Sequence, residues 1–126
     1  MIAGVGCDLS DISRWEDDDA RDRLTRRWFC PEERDYVLSR GKAGAQSAAG
    51  IFCAKEALVK ALGTGFSAVS PLDICILHTP GGAPYYRLSG TAAAEAERIG
   101  AVRFHLSVSH DGGVAAAFCV AETDPE

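Results

Sequence analysis

Residues 52–65, in the middle of the chain, carry charges that could do chemistry within an otherwise apolar stretch that reads FCAKEALVKALGTG. Glu56 and Lys60 stand four residues apart, so on a helix they lie one turn from each other on the same face. The sequence Gly63-Thr64-Gly65 follows, in which glycines let the backbone approach a ligand and threonine offers a hydroxyl to an anion. A solvent-exposed Glu–Lys pair at a helix end would have the same spacing and would contribute only about a few tenths of a kcal/mol.

A carboxylate near the end of the first predicted strand favours a ligand site over the exposed ion pair. The N-terminal residues MIAGVGCDL alternate small and branched apolar side chains, which predicts a short strand that delivers Asp8 to its end. Magnesium prefers a few protein carboxylates together with water or phosphate oxygens. Asp8 and Glu56 therefore fit half of a magnesium site that a diphosphate would complete, with Lys60 neutralising the phosphate as a point charge. Because the C-terminal end of a helix repels anions, the metal and Lys60 must outweigh the helix dipole there.

A helical wheel separates the charges of this stretch. The predicted core face consists of Ile51, Phe52, Ala54, Leu58, Val59, Ala61 and Leu62. Glu56 and Lys60 lie on the opposite side with Cys53 and Ala57, whose small side chains are predicted to leave room for a ligand. Lys55 falls inside the apolar arc, so it either extends past the edge of the core or pairs with a buried acid.

Ser109, His110 and Asp111 are adjacent in the segment LSVSHDGG, a set of residue types found in hydrolases. Neighbouring residues of an extended strand point to opposite faces, so these three cannot form a catalytic triad among themselves. The chain also has no G-x-S-x-G motif. His110 remains a candidate general base or phosphate contact, whereas His105 is predicted to face solvent.

Arginines are concentrated near the N-terminus, at Arg14, Arg21, Arg23, Arg26 and Arg27. Acidic residues are interspersed with them, at Glu16, Asp17, Asp18, Asp19 and Asp22. One interpretation is a surface whose charges neutralise each other. The other is a docking face for an acidic protein.

The composition predicts one globular domain over residues 1–126, since 126 residues with 47% hydrophobic content form about one core. No apolar run approaches the roughly 20 residues of a membrane span, and the N-terminus has no basic segment followed by an apolar one, which predicts a cytoplasmic protein. A net charge of -5 argues against a nucleic-acid partner.

The five cysteines have neither paired nor zinc-like spacing, so we expect no disulfide framework and mostly small buried thiols.

The predicted elements indicate an α+β fold. We expect a strand over 1–9, a helix within 15–29, a helix from Pro31 to about Ser39, a loop at 41–44, a long helix at about 45–62, a hairpin of 72–77 with 85–88, a helix after Ser89 that ends at Gly100, and a hairpin over 102–121. Strands that neighbour in sequence are expected to pair antiparallel.

Five segments, in this order, resemble the holo-acyl-carrier-protein synthases, the small trimeric branch of the 4′-phosphopantetheinyl transferases. They are GVGCDLSDISR at 4–14, FCPEE at 29–33, FCAKEALVKALGTG at 52–65, GGAPYYRLSG at 81–90 and HLSVSHDGGVAAAFCVAE at 105–122. Each segment alone is weak evidence. Their order and spacing over nearly the whole chain are specific.

The resemblance implies a small antiparallel sheet wrapped around a long central helix, in a homotrimer whose sites lie between subunits. It implies transfer of the phosphopantetheine arm of coenzyme A to a serine of an apo acyl carrier protein, with release of adenosine 3′,5′-bisphosphate. Asp8 and Glu56 would ligate Mg²⁺ with the diphosphate of coenzyme A, which is the co-substrate, and Lys60 would contact phosphate.

The resemblance also assigns binding roles outside this acidic pair. Gly63, Thr64 and Gly65 would line the nucleotide site, with Pro84 and His110 near the coenzyme. The five arginines would dock an acidic carrier. Asp8, Glu56 and Lys60 are the predicted catalytic residues, and the group that accepts the serine proton stays open among a metal-bound water, Asp35, Glu33 and Lys60.

One position departs from the family pattern, because Ile51 stands where the family commonly has arginine. The preceding GKAGAQSAAG is also poor in basic residues, with Lys42 and Arg40 as the nearby cations. We therefore predict a weaker grip on the nucleotide phosphates. The alternative hypothesis is a divergent paralogue that binds carrier proteins, or acts on carrier-tethered intermediates, without phosphopantetheinyl transfer.

Overall fold

The structure, a computed structural model, describes residues 1–125 and consists of helices and antiparallel strands in mixed order. The strands are β1 (Ile2–Asp11), β2 (Ile74–His78), β3 (Pro84–Leu88), β4 (Ala101–Asp111) and β5 (Val114–Thr123). The helices are α1 (Asp18–Trp28), α2 (Pro31–Ser39), α3 (Gly44–Ala61) and α4 (Gly90–Arg98). Short 3₁₀ turns at Ile12–Trp15, Gly41–Ala43 and Pro71–Asp73 connect them. The α+β prediction is confirmed, and the loop predicted at 41–44 is a 3₁₀ turn that leads directly into α3.

The strands form two sheets rather than the single sheet that the resemblance implied. The larger has the order β1-β5-β4 and the smaller is the β2–β3 hairpin. Both predicted hairpins are present, and β2 begins later than expected because Pro71–Asp73 is a 3₁₀ turn. In the larger sheet β1 and β4 are the two edges, with Asp8 opposite Ala117 and His110 opposite Ala115 on the shared central strand β5.

The long helix α3 packs directly on β1 because glycines remove the side chains between them. A Cβ atom at Gly6 would lie 1.8 Å from the carbonyl oxygen of Ala57, and one at Gly4 would lie 1.8 Å from that of Ala61. Cys53 and Ala57 are fully buried, and the Cys53 thiol donates to the carbonyl of Ala115 on β5 at 3.5 Å. The prediction that these small residues leave room for a ligand is wrong, because the sheet occupies that space.

Glycine ends α3 as the sequence indicates. Gly63 has φ +75°, and the amides of Gly63 and Thr64 donate to the carbonyls of Lys60 and Val59. These two amides are used in the helix cap and are therefore not free to cradle a phosphate.

The cysteine prediction is wrong for one pair, because Cys30 and Cys75 form a disulfide across 45 residues of sequence, with Cα atoms 6.1 Å apart. Sequence spacing did not reveal it, since the two residues meet only when α2 packs beside β2. Cys53 and Cys119 are buried free thiols as expected, whereas Cys7 is exposed. Within residues 1–125, no helix is long and apolar enough to cross a membrane.

Candidate active site

Asp8 and Lys60 meet where β1 lies against the last turn of α3. Lys60 Nζ lies 3.2 Å from Asp8 Oδ1 and donates to the carbonyl of Cys7 at 3.0 Å. The i, i+4 spacing had suggested Glu56 as the partner of Lys60. The ion pair that the structure describes for Lys60 is instead with Asp8, because the close approach of β1 brings the aspartate within reach.

Glu56 belongs to the same electrostatic cluster. Its pKa is raised by partial burial and by the negative charge of Asp8, while the charges of Lys60 and Arg14 oppose that rise. Two carboxylates that repel each other at one place favour a bound cation. The predicted pair of carboxylates is therefore brought together by the fold.

The donor atoms of this cluster fit a hard divalent cation. Asp8 and Glu56 offer carboxylate oxygens, which Mg²⁺ prefers, and leave other positions for water or phosphate. The nearby Cys53 thiol has its pKa raised to about 12, first by burial and then by the charge of Asp8. Both causes disfavour the thiolate, which is the form in which cysteine binds a soft metal.

Arg14 contributes to this site, although the sequence had suggested only a docking role. Its guanidinium carbon lies 5.1 Å from the centre of the Phe52 ring, and its charge acts on Glu56. Arg14 lies in the 3₁₀ turn Ile12–Trp15 that follows β1, so the strand that positions Asp8 leads directly into the turn that positions this arginine.

The other arginines of the predicted docking face are in different environments. Arg21 donates to the carbonyl of Trp15 at 2.8 Å and pairs with Asp18, so it ties α1 to the preceding turn. Arg26 pairs with Asp22 at 2.9 Å. Arg27 lies over the Trp28 ring, and Arg23 is exposed on the same helix. The docking role of the five arginines stays a prediction.

Pro84 and His110 lie away from Asp8, on β3 of the smaller sheet and on the far edge strand β4 of the larger one. His110 is on β4, and its Nε2 lies 2.9 Å from Gln46 Nε2 on α3. With Tyr36, Arg40 and His78 they line a groove of about 250 Å³ whose lining also includes Ile51. Since adjacent strands lie about 4.8 Å apart and β5 lies between, β1 and β4 are roughly 10 Å apart. The predicted site residues of one chain thus form two groups, one beside β1 and one in the groove beside β4.

Glu33 cannot act as the general base. Its side chain is fully buried, pairs with Lys55 at 2.7 Å and accepts from the amides of Cys30 and Ile76. Burial is the first cause that raises the pKa of Glu33 and lowers that of Lys55. Lys55 is therefore paired with a buried acid, which was one of its two predicted environments. Asp35 lines a separate groove between α1 and α2.

The family model of the 4′-phosphopantetheinyl transferase superfamily matches residues 4–119. The chain belongs to this superfamily. The match includes Asp8, Glu56, Lys60 and His110, so both groups of site residues fall inside the family region.

Similar proteins cover nearly the whole chain. A holo-[acyl-carrier-protein] synthase of Beutenbergia cavernae is 44% identical over 123 residues, which are 97% of this chain and 99% of that protein. The crystal structure of the holo-[acyl-carrier-protein] synthase from Neisseria meningitidis has a TM-score of 0.86 at 33% identity and covers 98% of this chain and 100% of that one. A Bacillus anthracis synthase in complex with CoA (3′,5′-ADP) has a TM-score of 0.81 at 32% identity and covers 98% and 99%.

Some residues that line the groove around His110 were not predicted from the sequence. Gln46 is uncharged and stands in a small-residue segment, so nothing in the sequence marked it as the partner of His110. The parallel stack of Tyr36 on His78, with ring centres 3.8 Å apart, joins residues 42 positions apart and has no local signal. Glu33 did have a local sequence signal, because it stands three residues after the N-cap Cys30 and completes a capping box at the start of α2.

Proposed function

We propose that the chain is a holo-[acyl-carrier-protein] synthase, which transfers the 4′-phosphopantetheine of coenzyme A to a serine of an apo acyl carrier protein and releases adenosine 3′,5′-bisphosphate. The convergence of Asp8, Glu56, Lys60 and Arg14 at the β1 edge carries this proposal. Full-length similarity to synthases supports it and does not favour the alternative of a paralogue that only binds carriers.

Asp8 and Glu56 would hold Mg²⁺ at this edge. The metal, when bound, supplies positive charge to the diphosphate of coenzyme A, and such transfers depend on charge neutralisation and positioning rather than on covalent help from the protein. Lys60 is held by the Cys7 carbonyl and Asp8, so its ammonium group has a defined place from which to neutralise phosphate. Arg14 adds a second positive charge beside Glu56.

The two groups of site residues support an active site completed by a neighbouring copy. Asp8, Glu56 and Lys60 lie at the β1 edge, while Pro84 and His110 line the groove at the β4 side. A ring of copies that places the β1 edge of one chain beside the β4 edge of the next would unite them. We propose that this assembly is the homotrimer that the family resemblance implied.

The partner would be an acidic carrier that docks on Arg14 and the four arginines of α1, with a cytoplasmic location as predicted from the sequence. Ile51 is buried in the lining of the groove, so it offers no charge to a coenzyme phosphate. The cationic side chain in that lining is Arg40, joined by His78 and His110. The prediction of a weaker hold on the nucleotide phosphates therefore stands as a proposal.

The proposed activity is tested by incubating the protein with coenzyme A, Mg²⁺ and several apo carrier proteins, and then weighing each carrier. We expect at least one carrier to gain the mass of one phosphopantetheine. Glu56→Gln should lower kcat about 100-fold or more, the scale for losing one electrostatic contact to the transition state, without loss of folded protein. Glu97→Gln, an exposed acid on α4, is the matched control and should leave the rate unchanged. Folded protein that modifies none of the carriers would contradict the proposal.

A further inference from the structure

One face of α2 contacts β2 at three successive positions. Cys30, at the N-terminal cap of α2, is bonded to Cys75 on β2. Glu33 accepts from the amide of Ile76 at 2.8 Å. Tyr36 stacks on His78 with the two rings only 5° from parallel. The positions 30, 33 and 36 lie about one helical turn apart, so they share the face that meets the strand.

The middle contact, between Glu33 and the Ile76 amide, depends on β2 staying in place. The Glu33 carboxylate is fully buried, and besides Ile76 it contacts the Cys30 amide and the Lys55 ammonium group. A buried carboxylate that loses a donor carries a large penalty. The disulfide lies one helical turn away, so it holds β2 where the Ile76 amide can donate to the Glu33 carboxylate.

The third contact, the stack of Tyr36 on His78, lies in the groove that contains His110. Tyr36 from α2, His78 from β2 and Pro84 from β3 all line it. β2 and β3 form one two-stranded sheet in which Cys75 is paired with Arg87 and His78 with Pro84. A shift of Cys75 away from α2 would therefore move both strand segments that border the groove.

We propose that Cys30 and Cys75 form a reversible disulfide, a modification site whose redox state sets how firmly the β2–β3 hairpin is held against α2 and so how well the groove is formed. The consequence for coenzyme A rests on the proposed function, whereas the modification itself does not. In the cytoplasm, where we predict this protein to act, disulfides are usually transient or redox-sensing rather than structural.

The chemistry is thiol–disulfide exchange with a low-molecular-weight disulfide such as oxidised glutathione. One protein thiolate attacks the small disulfide and releases one small thiol, and the second protein thiolate displaces the other, forming the Cys30–Cys75 bond. Two electrons and two protons pass from the protein to the two released thiols, and a dithiol reductant reverses the step. Cys30 and Cys75 are both buried, so the exchange requires the β2–β3 hairpin to open locally from α2. We assign Cys30 as the first nucleophile, because its sulfur accepts from the Glu33 amide at the N-terminus of α2.

The modification is tested by equilibrating the wild-type protein with oxidised or reduced glutathione, unfolding it and alkylating the free thiols. We expect five alkylated cysteines after reduction and three after oxidation, with Cys30 and Cys75 protected in peptide mapping. Five free thiols in both states, or pairing through the exposed Cys7, would overturn the proposal.

The effect on the groove is tested by hydrogen exchange over residues 74–88 and by calorimetry with coenzyme A. We expect slower exchange in the oxidised protein and about tenfold tighter binding, because a groove held in its bound form loses less entropy on binding. Cys75→Ser should abolish the redox response, whereas Cys7→Ser should keep it. If a cysteine variant does not fold, reduction of the wild-type protein gives the same comparison.

The two proposals fail in different ways. Unchanged hydrogen exchange between the two redox states, or a response that persists in Cys75→Ser, would overturn the redox site. A redox-dependent exchange rate in a protein that binds no coenzyme A in either state would support the redox site and count against the proposed function.

Discussion

Lys55 and Glu56 are neighbours in sequence and have different roles in the structure. Glu56 faces the Asp8 and Lys60 cluster, whereas Lys55 points into the core and is fully buried with Glu33. The Lys55 ammonium group also donates to the carbonyls of Pro71 and Ile74. This set of partners joins α3 to α2 and to the start of β2.

We predict that Lys55→Met destabilises the protein by about 3–5 kcal/mol, because removing one partner of a buried ion pair leaves the other charge unpaired. Urea unfolding would measure the change. The double variant Lys55→Met/Glu33→Met should recover much of the loss, since neither charge is then buried alone.

Arg26→Ala provides the matched control for that prediction. It breaks the exposed pair with Asp22 and should cost less than about 1 kcal/mol. A cost for Lys55→Met no greater than that of Arg26→Ala would show that the buried pair does not stabilise this core.

At the scale of elements, the site depends on how closely β1 approaches α3. Gly4 and Gly6 alternate along the strand and face the carbonyls of Ala61 and Ala57, and Asp8 is the next residue on the same side. The strand delivers Asp8 to Lys60 because these two glycines let the helix and strand backbones touch.

Gly6→Ala is predicted to destabilise the protein by about 3 kcal/mol, at the upper end of the usual cost of overpacking. The new Cβ would meet backbone atoms of Ala57, which cannot rotate away as a side chain could. The shift of β1 should also separate Asp8 from Lys60, so kcat should fall in protein that remains folded. Thermal unfolding and the carrier mass assay would measure the two effects.

Gly81→Ala is the control for this substitution, since its Cβ would meet no atom closer than 3.9 Å. It should change stability by less than about 0.5 kcal/mol. Equal stability of the Gly6→Ala and Gly81→Ala proteins would contradict the role assigned to the close contact of α3 and β1.

At the scale of the whole molecule, the face of the larger sheet opposite α3 is apolar and exposed along β1 and β5. Val5, Leu9 and Phe118 are 50%, 67% and 48% exposed. Val5 pairs with Val120, Cys7 with Phe118 and Leu9 with Ala116, so these side chains share the face opposite α3. A contiguous apolar face of this kind is expected to be buried between copies in the proposed homotrimer.

We predict that Phe118→Glu prevents assembly and abolishes transfer while leaving the chain folded, because the charge lies on the shared face rather than in the core. Light scattering should give the 13.4 kDa mass of one chain for this variant, against about three times that mass for the wild type. Leu38→Glu, which places the same charge at an exposed leucine of α2, should leave the assembly intact. A wild-type protein that is active as a single chain would contradict the shared site.

The sequence by itself determined the elements and the residue types of the site. Helix ends were predictable because caps and glycine conformations act within about one turn, as at Pro31, Gly63 and Gly100. The alternation of Phe104, Leu106 and Val108 predicted a half-buried strand for the same local reason. Asp8, Glu56 and Lys60 were recognisable because hard-cation and phosphate chemistry requires carboxylates and a cation.

The tertiary structure decided which of these residues meet. Lys60 pairs with Asp8 rather than with Glu56, Lys55 with Glu33, and Cys30 with Cys75. It also placed His110 and Asp8 at opposite edges of one sheet. Local rules could not give these pairs, because each pair depends on how closely two elements pack. That distance is set by the size of the side chains between the elements, as where Gly4 and Gly6 let β1 touch α3, and not by spacing along the chain.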